Sequence, residues 1–106
     1  FHQLLYQKGL AMQGVTVLIK DVQQQYEGLR TSLGLLLHAT DVSMVVWDNQ
    51  VDNMDEAYAD NMEFLDEMEG RRYSNNQTNI EKHGFQPLDQ QGLGELINAS
   101  SLVIPF

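Results

Sequence analysis

Six consecutive residues constrain this chain more than any others. They are Val42-Ser43-Met44-Val45-Val46-Trp47, bounded by Asp41 on one side and Asp48-Asn49 on the other. The run is too short for a buried helix and rich in β-branched residues, so it predicts a strand. Its near-continuous apolarity predicts burial on both faces, because a half-exposed strand alternates apolar with polar positions. The rest of the chain must then supply cover on two sides.

Helical patterns provide that cover. Leu18, Val22, Tyr26, Leu29, Leu33, Leu36 and Leu37 recur at spacings of three and four. This stripe predicts a helix of about 23 residues, capped by Thr16 and ending near Ala39. Val15 to Ile19 is also rich in β-branched residues and reads as a short strand in a competing assignment, with Asp21 as the cap of a shorter helix; the unbroken stripe favours the long helix. Phe1, Leu4, Leu5 and Met12 sit near helical spacing, weakened by Gly9, and Gly14 reads as a break.

A second helix is predicted from about Asn53 to Glu69. Met54, Tyr58, Leu65 and Met68 form its apolar side, Gly70 its stop, and Arg71 and Arg72 suit the negative end of its dipole. Residues 73–79 read as a polar loop, and Ile80 to Gln86 as a short strand or hairpin around Gly84. Asp89 is placed to cap a last helix carrying Leu93, Leu96 and Ile97, which Gly92 and Gly94 weaken. Leu102 to Pro105 leaves it in an extended form, since the residue before proline avoids the helical region. The expected fold class is a helix-dominant α+β: long helices around a short buried strand, a small hairpin and a final short helix.

Charge narrows the function. The chain has 106 residues, 15 acids against 6 Lys and Arg, and a net charge of -9. Residues 1–40 carry three bases and two acids, whereas residues 41–106 carry three bases and thirteen acids. Nine of those acids lie between Asp48 and Glu69 with no base among them. Such a surface repels a phosphate backbone, which disfavours nucleic-acid binding in a basic groove. A solvated helix face is the plain reading of these acids. Cysteine is absent, so a disulfide scaffold and cysteine metal sites are excluded. That absence is compatible with a cytosolic setting. No apolar stretch approaches the roughly 18–20 residues of a membrane span, and Phe1-His2-Gln3 does not open a signal peptide. Residues 1–106 are expected to be one segment, an internal piece of a larger chain.

Motifs for chemistry are weak. Asp48 to Asn53 invites a calcium-loop reading, but the twelfth position, which needs a bidentate acid, is Ala59. Asp52, Glu56, Asp60, Glu63 and Glu67 run along one helical side and could hold Mg²⁺ in a phosphohydrolase, yet no facing acidic helix or basic phosphate clamp is recognisable. His2, His38 and His83 are scattered without zinc spacing, and no nucleophile elbow or phosphate loop is present. Asn76-Gln-Thr and Asn98-Ala-Ser read as chance glycosylation triplets, and Trp47 as core or interface filler. No catalytic, cofactor-binding or metal residue is assigned, and no cofactor is expected.

In order, residues 14–106 resemble the middle of a tailed-bacteriophage portal (head–tail connector) protein. Gly14-Val-Thr-Val-Leu-Ile-Lys-Asp-Val resembles that family's entry into a long helix. Tyr26-Glu-Gly-Leu through Leu35-Leu-Leu-His-Ala resembles the helix leading to a buried strand. Asp41 through Met54 resembles that strand and the turn after it. Arg71-Arg-Tyr-Ser-Asn-Asn, Gly84-Phe-Gln-Pro-Leu, Gly92-Leu-Gly-Glu-Leu-Ile and Ile104-Pro105 resemble its closing segments. The resemblance implies a non-enzymatic, homo-oligomeric ring at one capsid vertex of the virion, assembled in the host cytoplasm. Double-stranded DNA would pass through it during packaging and ejection. Its implied partners are capsid or connector proteins and the packaging motor, with no membrane. Two rival expectations come from other classes: a free-standing acidic helical module that binds a basic partner protein, and a metal-dependent phosphohydrolase using the carboxylates of residues 52–67.

Overall fold

The structure is a computed structural model that describes residues 14–39 and 41–106. The helix expected over residues 1–12 lies outside the described residues, as does His2. In chain order the elements are β1 Val15–Ile19, α1 Gln25–Leu35, β2 Val42–Val46, α2 Glu56–Glu67, β3 Arg71–Ser74, α3 Gln77–His83, β4 Gln86–Pro87, α4 Gln90–Ala99 and β5 Leu102–Pro105, with a single 3-10 turn at Val22–Gln24 before α1. The strands form one five-stranded sheet in the order β4-β3-β2-β1-β5. Every pairing among these five strands is parallel: Val15 lies opposite Val42 and Leu102, Ser43 opposite Arg71, and Tyr73 opposite Gln86. This corrects the helix-dominant α+β expectation. The molecule is an α/β domain organised by a parallel sheet, with helices of 7 to 12 residues.

The largest correction is at the start. Val15–Ile19 is a central strand and not the first turns of a long helix. Parallel neighbours on both sides satisfy its backbone, and Val15, Val17 and Ile19 are at most 1% exposed. The alternative cap is the one used: the Asp21 side chain accepts from the Gln23 backbone N–H at 2.9 Å and opens the turn into α1. Gly28 lets α1 lie close against β1, since a Cβ there would overlap Ile19. The expected stripe therefore spans a strand and a helix, and its members part company. Leu29 is fully buried, while Tyr26 is 39% and Leu37 74% exposed.

β2 is enclosed on both faces, as its composition requires. Right-handed crossovers and the strand order place α1, α2 and α3 on one face and α4 on the other. On the first face Val15, Val17, Ile19, Val42, Met44 and Val46 meet Leu29 and Leu35 of α1, Tyr58, Met62 and Leu65 of α2, and Phe85. On the second face Thr16 is fully buried and its hydroxyl hydrogen-bonds the Ser100 hydroxyl just past α4.

Three further expectations change. α2 begins at Glu56, with Asp55 as its cap accepting from the Tyr58 N–H at 2.8 Å, and it ends at Glu67. Arg71 to Ser74 is a strand, not a helix end and loop. Ile80 lies in α3, which Asn76 caps and Gly84 stops at φ 73°, so the expected hairpin is a helix followed by the two-residue β4. Asp89 caps α4 by accepting from the Gly92 N–H at 2.7 Å, and Leu102–Pro105 is extended, as the sequence indicates.

Arg72 ties the first face together at the sheet's outer side. Its guanidinium grips both Asp66 carboxylate oxygens at 2.8 Å, donates to the His83 carbonyl at 2.8 Å, and stacks 4.8 Å from the Phe85 ring centre. A bidentate, stacked arginine of this kind joins α2, β3 and α3 in one clasp. Arg71 points to the other face and pairs with Asp41 at 2.7 Å. Its hydrogen bond with Tyr73, and next the Asp41 charge, hold its ionisation above the ordinary arginine value.

Candidate functional site

All five strands run the same way, so the loops after β1, β2 and β3 gather along one edge of the sheet. Parallel α/β sheets carry their binding crevices at this carboxyl edge. The loop after β2, residues 47–55, is held there by neutral amides. The Gln25 side chain, 4% exposed, donates to the Gln50 carbonyl at 3.0 Å and accepts from the Asp52 N–H at 2.8 Å. From the other side the fully buried Asn79 accepts from the Val51 N–H at 2.9 Å and donates to the Asn49 carbonyl at 3.0 Å and the Ser74 hydroxyl at 3.1 Å. Asn49 donates to the Lys20 carbonyl at 2.8 Å, and Asn75 exchanges two bonds with Asp48. A carboxamide carries both donor and acceptor, so it can replace the missing ladder bonds of a loop that returns into the molecule. Asp48 adopts φ 70° within these ties.

Between the loops after β1 and β2 lies an open cleft of about 390 Å³. Tyr26 and Tyr58 contribute to its lining, and their ring centres lie 6.4 Å apart at 42°. Asp52, Asn53 and Asp55 form the acidic rim, and Gln23 and Gln25 close the other side. Both oxygens of Asp55 are engaged, by the Tyr58 N–H and the Asn53 amide. Asp52 has no ion-pair partner among the described residues. Tyr58 is 2% exposed, and its hydroxyl is the buried side-chain polar atom without a partner among the described residues. Burial pushes its ionisation far above the ordinary tyrosine range, with Arg72 pulling weakly the other way.

α2 leads away from this cleft. Glu56, Asp60, Glu63 and Glu67 form an exposed row along its outer side, and Phe64, on the same helix, is 52% exposed. The row sits where the sequence placed it, except that Asp52 lies in the loop rather than on the helix. Among the described residues no three His, Cys, Asp or Glu side chains converge to hold a metal ion. Asp48, the first residue of the supposed calcium loop, is instead bound to Asn75. Asn76 serves as a helix cap, accepting from the Asn79 N–H at 3.1 Å, and Asn98 is exposed on α4. His83 lies half-buried at the end of α3, and Trp47 half-buried just past β2.

Sequence reasoning located the acidic row but missed Gln25, Asn79 and the Tyr26–Tyr58 ring pair. The available signal was the density of Asn and Gln beside strand ends: Asn49, Gln50, Asn75, Asn76 and Asn79. Among the described residues no helix is long and apolar enough to cross a membrane. No family model, curated protein or solved structure matches this chain.

Proposed function

We propose that this domain is a non-catalytic interaction module that binds a basic, amphipathic segment of a partner protein along the outer face of α2. One observation carries the reading: four exposed carboxylates lie along the same helix as the exposed ring of Phe64, and no Lys or Arg occurs between Arg30 and Arg71. An exposed aromatic in a field of one sign matches a partner that brings apolar surface edged with the opposite sign. The charge raises the encounter rate and selects against acidic partners, while the ring supplies the desolvated contact.

A synthetic helical peptide of alternating leucine and lysine faces tests this by calorimetric titration. Saturable binding that weakens with added salt and falls at least about fivefold in Phe64→Ala supports the reading, since an interface aromatic is worth roughly 1 kcal/mol or more. Binding unchanged by Phe64→Ala counts against it. Assembly into a phage portal ring is a separate proposal that rests on the sequence resemblance alone, and the particle mass of the native full-length protein tests it.

A further inference from the structure

We propose that α3 and β4 form a latch on the loop that follows β2: they open as one unit while the rest of the sheet stays folded, and their opening releases that loop. The unit is thinly anchored. Between Asn75 and Leu88 only the side chains of Asn79 and Phe85 are buried. α3 has seven residues, too few to persist as a helix without tertiary support. β4 is a two-residue edge strand, both its residues are exposed, and Pro87 brings no N–H to the ladder. Each buried side chain makes its own tie. Phe85 stacks on the Arg72 guanidinium, which also donates to the His83 carbonyl at 2.8 Å, so one arginine fixes the end of α3 and the approach to β4. The same guanidinium is held by Asp66 of α2, a carboxylate about half exposed to water. Asn79 makes the second tie. It accepts from the Val51 N–H at 2.9 Å and donates to the Asn49 carbonyl at 3.0 Å. α3 therefore cannot leave the sheet without withdrawing the partner of two loop groups. Gln25 holds the loop separately, at Gln50 and Asp52, from α1. One set of loop ties thus belongs to the body of the domain and the other to its thinly anchored edge. The loop supplies Asp52, Asn53 and Asp55 to the cleft, so the latch governs how firmly that rim is fixed. The latch is independent of the Phe64 surface and stands whether or not that surface binds a partner.

Native-state amide exchange of the whole chain tests it, because segments that open together share one opening free energy. Ile80 donates to the Asn76 carbonyl, Phe85 to the Asn79 carbonyl and Val51 to the Asn79 side chain. These three N–H groups should report one common opening, at least about 30-fold more frequent than that of the interiors of β1 and β2. That opening should depend less steeply on urea than theirs, since it exposes less surface. Two variants separate local from global opening. Ile19→Val trims a fully buried side chain of β1 whose packing is lost only on global unfolding. It should speed exchange in β1 and β2 about fivefold and leave Ile80, Phe85 and Val51 unchanged. Arg72→Met removes the guanidinium, keeps the stem, and should speed those three about tenfold. A single rate across the latch and the central strands, acceleration of Ile80 and Phe85 by Ile19→Val, or no response to Arg72→Met would overturn the latch. A Val51 opening free energy distinct from that of Ile80 and Phe85 would overturn its hold on the loop. The urea dependence of the parent chain decides the question even if Arg72→Met does not fold.

Discussion

The loop from Trp47 to Asp55 and the helix α2 that follows it are both rich in polar residues, yet they end in opposite places. The loop is drawn inward because its partners are carboxamides, and each amide meets backbone donors and acceptors at once. α2 keeps its carboxylates in water, since an unpaired buried carboxylate carries a heavy desolvation penalty, and it buries only Tyr58, Met62 and Leu65. The comparison separates two kinds of polarity. Neutral amides shape the edge of the sheet, whereas carboxylates give it a field to offer a partner.

Breaking the amide side of the comparison should cost most. Asn79→Leu leaves the Val51 N–H and the Asn49 carbonyl without their partner, and a loss of about 3–4 kcal/mol is expected in urea denaturation. On α2 two neighbouring positions should diverge: Leu65→Ala removes a fully buried side chain and should cost about 3 kcal/mol, whereas Phe64→Ala should stay within about 0.5 kcal/mol. Gln25→Ala should cost about 2 kcal/mol, because it frees two loop groups that lie nearer the surface.

Tyr58→Phe is the sharpest of the smaller tests. It deletes an unpartnered hydroxyl, so stability at pH 7 should hold or rise by up to about 1 kcal/mol. The folded-state ionisation of Tyr58 is raised, so the parent chain keeps its full stability below the unfolded tyrosine value, about 10, and loses stability as pH climbs beyond it. Melting temperatures taken at pH 8 and pH 10.5 should therefore fall less in Tyr58→Phe than in the parent chain. An equal fall would show that the hydroxyl is not desolvated.

How much of this was legible depends on the range of the interactions. β2 was readable because its burial on both faces is written in six adjacent residues. The caps at Asp55, Asn76 and Asp89 act within three residues, and Asp89 was found for that reason. β1 was misread because its partners lie 27 and 87 positions away, at Val42 and Leu102, where local periodicity carries no information. Leu18, Val22 and Tyr26 happen to continue a helical spacing across the boundary of a strand and a helix. β3 escaped notice because Arg71 and Arg72 look like solvated charges, while Arg72 is satisfied beneath α2 by Asp66 and His83. The acidic row was plain in sequence. The cleft was not, since Tyr26 and Tyr58 meet only when α1 and α2 pack side by side on the sheet.

The central claim is that the outer face of α2 captures a basic amphipathic segment through charge and one aromatic side chain. Titrating the leucine–lysine peptide into the parent chain and Phe64→Ala, at about 50 and 300 mM salt, addresses it most directly, because the Debye length shrinks from roughly 14 to 6 Å over that range. The expected result is saturable binding that weakens as salt rises and drops at least fivefold in the variant at both salt levels. Binding that ignores both the salt and the loss of the Phe64 ring would contradict the account.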